Sequence, residues 1–213
     1  MITDLFNSTV VDKDMSFCVL DTETTGLDQN TDHLLEVACT RCRLRSGVIK
    51  RVDLFHSFVK CDTDIPDYIT AMTRIKSSSM DDAPRPSMVM GNLLSFIGNS
   101  MVFAHNAEFD ALFLTKYDLR FLSIIFVDTV SIARFLLPGL NNISKDRPYR
   151  QIRLLELFGM DTKKSHSAKD DAMALTNLVC MFINMLNVKS EKTFSDFIVK
   201  RGALAKKMSR KEV

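Results

Sequence analysis

The chain has no apolar run approaching the roughly 20 residues that a helical membrane span requires, so no such span is expected. It has no internal repeat and no low-complexity tract, which excludes solenoid and propeller arrays. It also lacks an excess of either charge: 28 Lys and Arg stand against 26 Asp and Glu, for a net +2, a balance that excludes neither nucleic acid nor a neutral substrate. Its five cysteines are odd in number and follow no ordered spacing, which argues against a disulfide framework and for a reducing, cytoplasmic setting. Cys39 and Cys42 do form a Cys-x-x-Cys, but in a stretch that reads as a strand, where residues three apart face opposite sides, so zinc is not expected there. Met1 to Asn7 mixes acidic and polar residues with no apolar core after a basic start, so no secretory leader is expected. What is present is 213 residues, 46% of them hydrophobic, enough for one core with an appendage.

Against that background three short stretches carry the information: Asp21-Thr-Glu-Thr-Thr-Gly-Leu27, His105-Asn-Ala-Glu-Phe-Asp110 and His166-Ser-Ala-Lys-Asp-Asp171. Asp21 and Glu23 follow the apolar run Phe17 to Leu20, which reads as a buried strand, and residues two apart on a strand share a face. Two carboxylates held together disfavour each other's ionisation unless a cation is present. Oxygen ligands suit a hard divalent ion such as magnesium or manganese. In the other two stretches Asn106 and Ser167 stand at N-cap positions of expected helices. His105 and Asp110, like His166 and Asp171, then occupy the two positions that usually pack an apolar staple, and polar residues there point to function. Ser167 and Asp170 also match an acidic capping box.

Taken together, and in this order, the three stretches resemble the exonuclease motifs of the DEDDh family of 3′-to-5′ exonucleases, over roughly residues 15 to 187. Asp21 and Glu23 match the acids of the first motif, Asp110 that of the second, and His166 and Asp171 the histidine and acid of the third. Softer similarity lies in Ile65-Pro66, Asp82-Ala-Pro84, Asp128-Thr129 and Ala133 to Gly139. Within the family the first motif is most similar to proofreading epsilon subunits of bacterial DNA polymerase III and to exonuclease domains of Gram-positive replicative polymerases, which tilts the substrate towards DNA. Arg74 departs from the pattern, because relatives carry glycine before the isoleucine. If that glycine supplies a positive φ, Arg74 is strained or the loop differs.

The resemblance implies a metal-dependent 3′-to-5′ exonuclease that releases nucleoside 5′-monophosphates from frayed or single-stranded 3′ ends of DNA. It implies Asp21, Glu23, Asp110 and Asp171 as catalytic metal ligands for two ions, Mg2+ or Mn2+, and His166 as the base. Two ions address the nucleophile, the charge of the transition state and the leaving oxygen together. The residues alone leave two candidates for the base, His105 and His166. His105 follows the apolar strand Met101 to Ala104 and is expected to make a structural hydrogen bond, whereas His166 follows the polar loop Asp161 to Ser165, and exposure favours it. His33 and His56 carry no functional signal. Thr24, Leu27, His105, Asn106 and Phe109 are the substrate-binding candidates, with Leu27 matching a position that wedges between the last two bases. Lys145, Arg147, Arg150 and Arg153 either track phosphates of a single strand or form a solvated loop. Two rivals stay open: an RNA-trimming exonuclease of the same chemistry, and a catalytically idle polymerase adaptor.

The coarse pattern predicts strands near 16–20, 34–44, 52–60, 101–104 and 124–127, and helices near 87–97, 107–116, 129–136, 152–158 and 168–187. Polar stretches interrupt it at 76–87 and 141–150. This is an α/β order, and the resemblance implies a ribonuclease-H-like mixed five-stranded sheet flanked by helices, with the metal site at its edge where the first strand ends. Residues 1–188 are expected to form the exonuclease domain and 189–213 a basic amphipathic C-terminal tail, in which Phe194, Phe197, Ile198, Leu204, Ala205 and Met208 fall at helical spacing. Such a tail packs back on the domain, touches DNA or reaches a polymerase catalytic subunit.

Overall fold

The computed structural model describes residues 14–143, 146–162, 166–189 and 193–209. Met1 to Asn7, where no secretory leader is expected, Lys145, residues 163–165 of the loop before His166, and the last residues of the basic tail from 210 onward lie outside the described residues. In chain order the elements are β1 (Met15–Thr24), β2 (Leu34–Arg45), β3 (Val48–Phe58), α1 (Asp67–Thr73), α2 (Pro86–Ile97), β4 (Met101–Ala104), α3 (Ala107–Tyr117), β5 (Phe126–Asp128), α4 (Thr129–Leu136), α5 (Leu140–Ile143), α6 (Gln151–Leu157), α7 (Ala168–Lys189) and α8 (Arg201–Ser209). Short 3-10 turns occupy Ser77–Met80, Leu119–Ser123 and Phe194–Phe197.

The strands form one mixed five-stranded sheet in the order β3-β2-β1-β4-β5. β1 to β3 make an antiparallel meander, while β4 and β5 run parallel to β1. β1 is therefore the middle strand, and its run Phe17 to Leu20 is buried on both faces. Alternation sends Phe17 and Val19 into a core with Leu175, Leu178 and Phe182 of α7, and Cys18 and Leu20 into a second core with α2 and α3. The same alternation separates Cys39 from Cys42, which fall in different cores, and all five thiols are free.

Because β1, β4 and β5 are parallel, their carboxyl ends gather at one end of the sheet, where ligands of α/β proteins bind. The expected placement at the sheet's edge is corrected accordingly: the acids sit at the carboxyl end of the central strand. β1 also runs past its predicted end, so Asp21 and Glu23 lie within it, paired with Ala38 and Glu36.

Other boundaries moved for local reasons. β3 begins at Val48 because Ser46 and Gly47, with φ of 48° and 76°, make a two-residue hairpin turn that brings the strand in early. The unpredicted α1 buries only Ile69 and Thr73, too few positions to show a period. It closes at Arg74, whose φ of 63° is the left-handed value and whose N–H donates to the Thr70 carbonyl. The tail does not form one continuous helix. Phe194 and Phe197 are buried in the α7-side core, Ile198 bridges Val127 in antiparallel fashion, and the Val199 N–H donates to the Phe126 carbonyl. Only then does α8 start, with Leu204 buried against the α3 side and the Lys207 ammonium 2.8 Å from Glu108.

Candidate active site

Asp21 and Glu23 leave β1 on the α7 face, and Asp171 in the first turn of α7 meets them there. One oxygen from each carboxylate lies within 4.8 Å of the others. Thr22, between the two acids, points to the opposite face, where its hydroxyl donates to Asp110 Oδ1 of α3 at 2.7 Å. Asp110 thus reaches the same cleft from the other layer of the fold and is only 3% exposed. The cleft, about 420 Å³, is lined by all four acids together with Met72, His105, Phe109, Gln151 and His166.

The electrostatics follow from that crowding. The walls of the cleft desolvate Asp21 and Asp110, Asp171, Glu23 and Glu36 repel its charge, so its pKa is raised well above the usual carboxylate range. Desolvation and the neighbouring acids push Glu23 up to about 8. Desolvation raises Asp110 to about 7 against the opposing Thr22 hydrogen bond. Asp171 is raised by desolvation, which the hydrogen bond from the His166 backbone partly offsets. Carboxylates that cannot all ionise together, offering oxygen alone, suit a hard divalent cation, and the donor set fits magnesium or manganese on that ground.

The two histidines are placed differently. His105 is held at the core edge, its Nε2 2.8 Å from the Tyr149 carbonyl and its Nδ1 3.0 Å from the Thr129 hydroxyl, and burial lowers its pKa. His166 is exposed at the mouth of the cleft with φ 77°, and its backbone N–H donates to Asp171 Oδ2 at 2.8 Å. The caps expected from Asn106 and Ser167 are corrected. Asn106 stands at the N-cap of α3 with φ 67°, but its side chain makes no capping bond; Asp128 accepts the N–H groups of Asn106 and Ala107 instead. At α7 the acceptor is Glu36 of β2, which takes the Ala168 N–H at 3.1 Å and the Ser167 hydroxyl at 3.2 Å. A carboxylate supplied by another strand displaces the local cap because a charged acceptor makes the stronger bond.

Among the substrate candidates, Leu27 is 85% exposed beyond the end of β1, Thr24 is buried with its hydroxyl turned to the Gly26 carbonyl, and Phe109 lines the cleft while stacking on Phe113. Gly26 is required: a Cβ there would meet the Asp32 carboxylate at 2.4 Å, and that carboxylate holds the loop through Thr25 and Asp28. Sequence reasoning missed Thr22, Met72 and Gln151, the last donating its amide to the Asp171 carbonyl at 3.0 Å. It also missed Glu36 and its contact with His56 Nε2 at 2.7 Å. The one signal for Glu36, a like charge directly opposite Glu23, needs the strand register to be known.

The family described as Exonuclease matches residues 18–179. The chain is 30% identical over 200 residues to the DNA polymerase III PolC-type protein of Clostridium perfringens, covering 88% of this chain but 13% of that one. It is 30% identical over 178 residues to the DNA polymerase III subunit epsilon of Treponema pallidum, covering 81% of this chain and 79% of that one. The chain thus spans about an eighth of the PolC-type relatives it matches and most of the epsilon subunit. Its fold is shared with the nuclease domain of 3′hExo, a DEDDh family member bound to rAMP, with a TM-score of 0.63 at 15% identity over 87% of this chain and 96% of that one.

Proposed function

The chain belongs to the exonuclease family, and from that membership we propose that it is a 3′-to-5′ exonuclease acting on DNA, releasing nucleoside 5′-monophosphates in a proofreading role beside a replicative polymerase. The observation that carries the reading is the convergence of Asp21, Glu23 and Asp171 within 4.8 Å in a cleft that also holds Asp110 and an exposed imidazole. Asp21, Glu23 and Asp171, with Asp110, would hold two divalent ions. When bound, these ions supply the positive charge that a phosphodiester and its leaving 3′-oxygen require.

The chain's own residues do the rest. His166 sits at the mouth of the cleft, where its ring can take the proton of an attacking water, and its backbone bond to Asp171 ties it to the acids. Gln151 steadies the same aspartate from α6. His105, neutral because it is buried between Tyr149 and Thr129, fixes the turn that carries α3 and leaves the base role to His166. Leu27, exposed beyond the end of β1, would part the terminal base from its neighbour, and Phe109 with Met72 would form the apolar wall against which that base lies. A polymerase subunit named epsilon among the relatives supports the proofreading assignment, and the segment that ends in α8 is the part of the chain proposed to reach the polymerase.

The test is digestion of matched and 3′-mispaired primer-template DNA, beside single-stranded RNA of the same sequence, with magnesium and an Asp21→Ala control. Faster loss of the mispaired DNA end, abolished by Asp21→Ala, is the expected result. Preferential loss of RNA moves the chain to the ribonuclease branch, and no Asp21-dependent loss of either polymer defeats the reading.

A further inference from the structure

We propose that a second cleft, walled by Arg134, Arg147 and Arg150 and opening beside the acid cluster, is a subsite for backbone phosphates of the substrate strand on the 5′ side of the scissile bond. The proposal rests on the exonuclease reading above. This cleft has a volume of about 600 Å³ and shares His105, Arg150 and Gln151 with the acid-lined one, so the two form a continuous trough. A strand whose 3′-terminal nucleotide lies among the acids has all its remaining phosphates on its 5′ side, and the trough gives them a path. The remaining lining of the acid-lined cleft includes the apolar Met72, Phe109, Ile152 and Leu155, which suit bases rather than phosphates.

The charge of the second cleft fits that path. Three guanidiniums face one carboxylate, Asp128. The Asp128 oxygens are already engaged by the N–H groups of Asn106, Ala107, Val130 and Ser131 and by the Ser131 hydroxyl. Arg147 and Arg150 are exposed and form no ion pair among the described residues. Arg134 is oriented by an aromatic face instead of an acid, its guanidinium lying 5.8 Å from the Tyr149 ring centroid. Unpaired guanidinium forks bind phosphate oxygens bidentately. Sequence proximity alone does not define the group: Arg153, three residues from Arg150, pairs with Glu156 at 3.0 Å and does not line the cleft, whereas Arg134, far from both in the chain, does.

The experiment compares the full chain with its Arg147→Gln and Arg147→Lys variants, with magnesium, on single-stranded DNA from dinucleotide to dodecamer and on a duplex with a recessed 3′ end, at several salt concentrations. The expected result is a KM for the dodecamer raised roughly fivefold to tenfold by Arg147→Gln with kcat unchanged, and a salt slope smaller by about one. The dinucleotide should respond much less, and Arg147→Lys should recover the salt slope. Equal impairment of dinucleotide and dodecamer, no effect at all, or an effect confined to duplexes with a recessed 3′ end would each overturn the proposal, the last by placing the complementary strand in the cleft. If the unaltered chain hydrolyses no nucleic acid in an Asp21-dependent way, the exonuclease reading fails. Anisotropy of a labelled dodecamer then tests the subsite by itself: it survives if Arg147→Gln still lowers the salt slope of binding and is lost if the slope is unchanged.

Discussion

His166 and Arg74 both carry a positive φ, 77° and 63°, and the two residues use it differently. At His166 the turn of the backbone aims the N–H at Asp171 and leaves the ring exposed in the cleft. Replacing it with alanine would remove the proposed proton acceptor without touching the acids, and on that proposal kcat should fall by about 10²- to 10⁴-fold with little change in KM or in thermal midpoint. Steady-state kinetics with circular dichroism melting decides it, and a variant that loses KM alone would make His166 a binding residue instead. At Arg74 the conformation closes α1 and costs an L side chain about 1–2 kcal/mol, a cost glycine does not bear. Glycine's greater freedom in the unfolded chain offsets part of this, so Arg74→Gly should stabilise the protein by about 0.5–1 kcal/mol in urea denaturation. The sequence showed the departure from glycine at this position, but the left-handed φ had to be seen in the structure.

At the scale of elements, the helix that carries Asp171 and starts just after His166 depends on a residue 132 positions away from its first amide. Glu36, 2% exposed on β2, accepts from Ala168 and Ser167 of the α7 start and from His56 of β3, so a single carboxylate joins two strands to the helix that completes the site. Glu36→Ala leaves those donors without a partner and should cost about 1–2 kcal/mol, the scale of a lost cap. Magnesium should be present in the measurement so that repulsion among the neighbouring acids does not mask the loss. Activity should fall with stability, because Asp171 and His166 lose their anchor; unaltered kcat would show that the α7 start is held by something else. This contact also marks where the sequence stopped being legible. The helix starts at 107 and 168 were readable from local residues, whereas the groups that cap them, Asp128 and Glu36, are brought in by sheet register. The tail was unreadable for the same reason: the apolar spacing of Phe194, Phe197, Ile198 and Leu204 is helical in pattern, yet two different cores and the bridge from Ile198 to Val127 claim those residues separately.

For the whole molecule, the sheet places acids from both of its faces at one end of β1, three on the α7 side and Asp110 on the α3 side. The arrangement stores repulsion that is released by protons or by metal. Glu23 and Asp110, raised to about 8 and about 7 by desolvation and like charge, hold protons in the folded state that they would give up in the unfolded chain, where they return to the ordinary values of about 4. A group raised in this way contributes stability that is fully present below its unfolded pKa and is lost as pH rises through the folded one, so the metal-free protein should weaken steadily from about pH 4 to pH 8. One unit of such a shift is worth about 1.4 kcal/mol, and about 1 kcal/mol moves the midpoint of a domain this size by roughly 2–4 °C, which makes a drop of at least about 5 °C between pH 5 and pH 8 the expected outcome. Divalent cations compete for the same carboxylates in their ionised form, so millimolar magnesium or manganese should restore the midpoint most at pH 8 and least at pH 5. Melting in chelator and in each metal across that range reads both effects. Replacing Glu23 with glutamine separates their causes, since it should flatten the pH dependence and weaken the rescue together; a midpoint that rises with pH in chelator would mean that the acids are already ionised and neutralised within the fold.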